Sequence, residues 1–95
     1  MKKIIDNLLY DTANATLIDE WHDSYYNLFN SYNLTKRLFL TKNDRFFLYT
    51  YKSELVFLFY DTEEDIKALS KKEALEFMKK YCPEKIEYYF KIEEA

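Results

Sequence analysis

The chain has no glycine in its 95 residues, where about 7% would be average. Glycine takes positive φ without steric cost and lets a phosphate approach the main chain closely. Without it, tight turns must rest on Asn, Asp and Ser. A phosphate-cradling glycine loop of the Walker or dinucleotide-binding kind is excluded.

The centre of the chain gives the clearest reading. Lys36 to Lys42 and Arg45 to Lys52 are runs of Phe, Leu, Tyr and Thr separated by Asn43-Asp44. Both turn residues tolerate the left-handed backbone of a two-residue hairpin. That turn would set Lys42 opposite Arg45, Thr41 opposite Phe46, Leu40 opposite Phe47 and Phe39 opposite Leu48. A third run, Glu54 to Tyr60, follows Lys52-Ser53 and extends an antiparallel meander. Asp61 to Asp65 reads as an acidic connector. Ser70-Lys71-Lys72-Glu73 has the capping-box pattern, and Ala74, Phe77, Met78 and Tyr81 then fall on one helical face that would cover the sheet. Pro83 suits the first turn of a second helix, with Ile86, Tyr89 and Phe90 on its apolar side.

The N-terminal third is less determinate. Ile4, Ile5, Leu8 and Leu9 fit a helix face and a bent strand pair equally. Ala15, Ile18 and Trp21 recur every third residue, while the same stretch also alternates as a strand would. The three-residue spacing favours a short helix capped by Asp11 or Thr12. Asp23 to Asn33, rich in Ser, Asn and Tyr, reads as a loop with a helical turn at Tyr25 to Phe29. The expected fold class is α+β: a three- to four-stranded antiparallel sheet packed by two C-terminal helices, with a short N-terminal helix, in one domain over 1–95.

Eight Phe and ten Tyr supply a large buried area for so short a chain. Cys82 is the lone cysteine, and no secretory pattern precedes the first apolar segment, which together predict a cytoplasmic protein. The longest apolar stretch, Leu55 to Tyr60, is too short to span a bilayer as a helix.

Catalysis requires a poised acid, base or nucleophile, and the candidates are few. His22 is the single histidine, placed where Asp23 would orient its ring. Cys82 would need Lys79, Lys80 or His22 as a base and reads as a small buried hydrophobe. The acidic run from Asp61 lacks the glycine and spacing of a calcium loop. No enzyme, metal site or cofactor is expected.

Charge is distributed unevenly along the chain. Residues 1–30 carry −3, residues 31–60 carry +3 and residues 61–95 carry −3. The acidic flanks supply Asp19, Glu20, Asp23, Asp61, Glu63, Glu64 and Asp65, and the central hairpin supplies Lys42 and Arg45. These are the candidate partner-binding residues. Aromatic side chains on alternate positions, Phe47, Tyr49 and Tyr51 and then Phe57 and Phe59, lie among cations as in binders of single-stranded nucleic acid. A small sheet needs one such face for its core, and the net charge of −3 weighs against a nucleic-acid footprint.

Tyr10-Asp11-Thr12 with Ala15, Ile18 and Trp21, then Leu40-Thr41-Lys42 and Phe46-Phe47-Leu48-Tyr49, then Leu69-Ser70 with Glu73-Ala74 and Phe77, and last Ile86 to Phe90, occur in an order that resembles a family of small phage and mobile-element proteins. The family's hairpin turns on glycine and leads into a glycine-rich loop; here Asn43-Asp44 stands instead. Some proteins of that kind are anti-CRISPR inhibitors, small and acidic, that occupy a nucleic-acid or partner surface of a nuclease. The resemblance implies a non-enzymatic protein that binds and inhibits a host defence protein such as a CRISPR effector, its acidic flanks competing for a basic channel. Two other readings are a nucleic-acid-binding or regulatory domain using the basic aromatic hairpin 36–52, and a homodimer paired through a sheet edge.

Overall fold

The computed structural model describes residues 1–95. Strands β1 (Lys2–Ile5) and β2 (Leu8–Asp11) form a small hairpin. Strands β3 (Thr16–Tyr26), β4 (Asn30–Leu40), β5 (Phe46–Val56) and β6 (Phe59–Leu69) form an antiparallel meander in sequential order. Helix α1 (Lys71–Tyr81), a 3-10 turn at Pro83–Lys85 and a one-turn helix α2 (Ile86–Tyr89) complete the chain. The protein is thus mostly antiparallel sheet with two short helices. No helix is long and apolar enough to cross a membrane.

In a chain without glycine, positive φ falls on Asp6, Asn7, Asp44 and Phe57. Asp6-Asn7 makes the two-residue β1–β2 turn, where both central residues need positive φ. Asp44 closes the β4–β5 loop, in which the Thr41 N–H donates to the Arg45 carbonyl at 2.8 Å and the Arg45 N–H to Thr41 Oγ1 at 3.1 Å. That loop holds three residues, Lys42 to Asp44, rather than two. The register therefore differs by one from the expected pairing: Leu40 faces Phe46 and Phe39 faces Phe47. Because the side-chain period is two, the shift decides which rings meet. Phe39 and Phe47 stack at 5.0 Å on one face, and Leu38, Leu40, Phe46 and Leu48 line the other. Lys42 and Arg45 do not face each other as a cross-strand pair.

The sheet is covered on both sides, but only over one half. Tyr10, Phe39, Phe47 and Ile66 form a core beneath the β1–β2 hairpin. Ile18, Leu38, Phe46, Ala74, Met78 and Cys82 form a second core beneath the helices. The capping box is complete: the Glu73 N–H donates to Ser70 Oγ, and the Ser70 N–H to Glu73 Oε1, each at 3.0 Å. Ala74 and Met78 are buried as the helical spacing predicts, and Phe90 stacks on Phe46 at 5.2 Å. In the other half, β3 beyond Trp21, β4 before Lys36, β5 beyond Tyr49 and β6 before Asp65, only Ser53 is buried. Strands β3 to β6 are each 11 residues, about 36 Å, and the molecule measures 52 × 35 × 18 Å.

Four further expectations are overturned. No N-terminal helix forms. Asp11 instead accepts the Ala13 N–H and the Asn14 amide, each at 3.0 Å, turning the chain into β3. The Ile18–Trp21 spacing comes from a bulge between Leu17 and Asp19. The inserted residue shifts the strand's phase, so two side chains three apart both reach the helix-side core. Residues 23–33 are strand and hairpin, not loop, and Asp61 to Asp65 is strand, not connector. Both lie in the uncovered half, where neither face is buried and no apolar alternation is demanded. Lys52-Ser53, expected as a turn, is mid-strand; the turn is Phe57-Leu58.

Candidate functional site

The uneven charge of the sequence becomes cross-strand pairing in the sheet. The basic third supplies the two central strands, and the acidic flanks supply the two edges. Arg37 on β4 meets Glu20 on β3 at 2.7 Å, and Lys52 on β5 meets Glu63 on β6 at 3.7 Å. Lys85 reaches Asp19 at 3.2 Å, and Lys3 reaches Asp65 at 2.6 Å. Glu64 accepts from the Tyr49 hydroxyl at 2.7 Å. Much of the charge expected to meet a partner is thus engaged within the molecule.

These contacts show in the titration of the groups. Hydrogen bonding from Arg37 holds the Glu20 carboxyl below its usual range, and Lys3 does the same for Asp65. Burial, followed by the Glu64 carboxylate, pushes the Tyr49 phenol up to about 12. His22 contacts Glu20 through Nε2 and Thr35 Oγ1 through Nδ1 at 3.1 Å. Glu20 orients that ring, not Asp23. Cys82 is fully buried, and burial pushes its thiol up. The neighbouring charges acting on it are Asp19, Glu84 and Lys85, not the expected bases. No group of three or more His, Cys, Asp and Glu residues is arranged to hold a metal ion.

Among the expected partner-binding residues, Asp23, Asp61, Glu64, Lys42 and Arg45 carry no ion pair, and Glu64 alone of these three carboxylates has a side-chain hydrogen bond. Glu54, which the sequence did not single out, stands directly opposite Asp61 in the β5–β6 ladder. Directly opposed like charges are destabilising, and neither carboxylate has an ion-pair partner. Tyr25, Tyr32, Glu54 and Asp61 form one row across all four strands. Opposed residues share a face, and the same pairing puts Asp23, Leu34, Lys52 and Glu63 in the next row towards the helices. The result is an open tyrosine-and-carboxylate surface on the helix side of the uncovered half. Lys42 and Arg45 lie at the opposite, covered end. Arg37 and Lys52 are paired, and Lys36 sits over the Tyr81 ring at 5.9 Å.

The end of the uncovered half is apolar. Tyr26, Leu28, Phe29, Phe57, Leu58 and Phe59 are all exposed there, Leu58 to 96%. An open groove of about 490 Å³ runs between the β3–β4 and β5–β6 turns. The sequence signal for this end was the run Leu55 to Tyr60, read as strand.

Compared with known proteins, the chain matches no protein family, no curated protein and no solved structure.

Proposed function

We propose that this chain is a binding protein that inhibits a host defence protein, such as a CRISPR effector, by presenting acidic residues to a basic nucleic-acid surface. The observation that carries the reading is the uncompensated row in which Glu54 faces Asp61 beside Tyr25 and Tyr32. Opposed carboxylates raise the energy of the free protein, and a partner's Arg or Lys would relieve them. Arg binds carboxylates through a planar fork and stacks on aromatic rings, and the row offers both. Asp23 extends the negative surface. Asp19, Glu20, Glu63, Glu64 and Asp65 contribute to the field, but their partners within the fold already stabilise them.

The test is binding to a purified RNA-guided nuclease from the host, with target cleavage as readout. The triple variant Asp23→Lys, Glu54→Lys, Asp61→Lys should lose inhibition, and binding by the native chain should weaken as salt rises. Glu63→Lys should matter less, because Glu63 is already engaged by Lys52. Native-strength inhibition by the triple variant would remove the mimicry reading.

A further inference from the structure

Both lateral edges of the sheet are unsuited to pairing with another copy. The β3 edge carries Asp19, Glu20 and Asp23, and the β6 edge carries Asp61, Glu63, Glu64 and Asp65. Charged side chains along an edge discourage strand addition, and the bulge at Leu17/Asp19 bends the β3 edge further. The end of the sheet is treated in the opposite way. Eight apolar side chains, from Tyr26 to Phe29 and from Val56 to Tyr60, are exposed there. No charged residue lies between Asp23 and Lys36 or between Glu54 and Asp61. Together these side chains expose on the order of 1,000 Å². The largest apolar patch on a typical monomer is about 300–600 Å², and a standard interface takes about 800 Å² from each partner.

The backbone at this end is organised around its exposed rings. Asn27 Oδ1 accepts the N–H groups of Phe29 and Asn30 at 3.1 and 3.0 Å, which fixes the β3–β4 turn without glycine. Phe57 donates its N–H to the Phe29 carbonyl at 3.1 Å, and their rings stack at 5.7 Å. Phe57 itself has φ of 57°. Every other left-handed position in the chain is Asp or Asn, which tolerate it, whereas for a bulky side chain this conformation is an outlier. Such strain persists where a side chain's identity matters more than local stability.

We propose that this end is a homodimer interface, in which Leu58 of one copy seats in the groove between the two turns of the other. Knob and groove lie side by side on one surface, as a twofold, self-complementary contact requires. Leu58 is itself part of the groove wall, with Tyr26, Leu28, Phe29, Leu55 and Phe57 among others. Tyr26, Ser31, Leu55 and Tyr60 form the row on its sheet face, and Ser24, Asn33, Ser53 and Thr62 form the next. Neither row carries a charge, so two chains of net charge −3 meet there without opposing carboxylates. Glu54 and Asp61 belong to the other face and stay free for the partner proposed above. The two sites are independent.

Sedimentation of the native chain should show a species of twice the 11.7 kDa chain mass, with a dissociation constant on the order of 1 µM. Leu58→Asp should be monomeric across the same range, while Tyr88→Ser, an exposed aromatic on α2, should leave the dimer intact. Phe57→Asn separates this interface from a purely structural role for the turn. In dilute solution, where both proteins are monomeric, it should raise the unfolding midpoint by relieving the left-handed strain, yet weaken the dimer at least about tenfold. A native chain that stays monomeric at about 100 µM overturns the proposal, as does a Leu58→Asp dimer as tight as the native one. Binding of the monomer to neutral phosphatidylcholine vesicles through Leu58 would also overturn it, and would assign the same end to lipid.

Discussion

At the scale of single residues, the carboxylates divide by whether the fold gives them a partner. Arg37 lowers the Glu20 pKa, Lys3 lowers that of Asp65, and the Ser70 N–H lowers that of Glu73. Each is depressed in the folded state, so its contribution is present above the unfolded value of about 4. It is lost as pH falls through the lower folded value. The thermal midpoint should therefore begin to fall below about pH 5 and continue downward into the acid range. Circular dichroism melts across that range would check this, and Glu20→Gln should flatten the dependence. The Ser70 cap is testable separately. Ser70→Ala should cost about 1 kcal/mol by urea unfolding, because Glu73 N–H is left without its acceptor.

At the scale of elements, local chemistry was legible wherever an element has a buried side. The Ser70–Glu73 cap and the Ala74–Met78 face were readable because a helix packed on a sheet must place apolar residues at regular intervals. The hairpin 36–52 was legible as a hairpin but not in register, since Asn43-Asp44 serves a two-residue turn or a three-residue loop closed by Asp44 equally well. Ile18 and Trp21 misled because a bulge imitates helical spacing. The strands around Tyr25, Asn33 and Asp61 were hidden for a different reason: their faces are wet, so polarity in sequence carried no sign of pairing. The candidate row Glu54–Asp61 depended on that unseen pairing. A contrast between buried and exposed positions follows. Met78→Ala, at a fully buried site, should lose about 3 kcal/mol, whereas Tyr88→Ala should change the urea midpoint little.

At the scale of the whole molecule, one continuous sheet serves two purposes. Near the helices, a layer on each side supplies the apolar burial that stabilises it. Farther out, β4 and β5 continue by cross-strand pairing, edge ion pairs and the Phe29–Phe57 stack alone. Exposed ion pairs contribute little, so the outer half should open without the inner half unfolding. Hydrogen exchange on a dilute, monomeric sample should show this as a gradient along single strands. The amides of Leu38, Phe39, Phe46 and Phe47 should exchange only through global unfolding. Those of Tyr32, Leu34, Ser53 and Leu55 should exchange at least about tenfold faster. Raising the concentration should then protect the outer amides selectively if two copies meet end to end, because association stabilises only what the interface covers. Uniform protection along β4 and β5 in the dilute sample would mean that the ladder is stable without covering layers. The exposed half would then be a rigid platform from the outset.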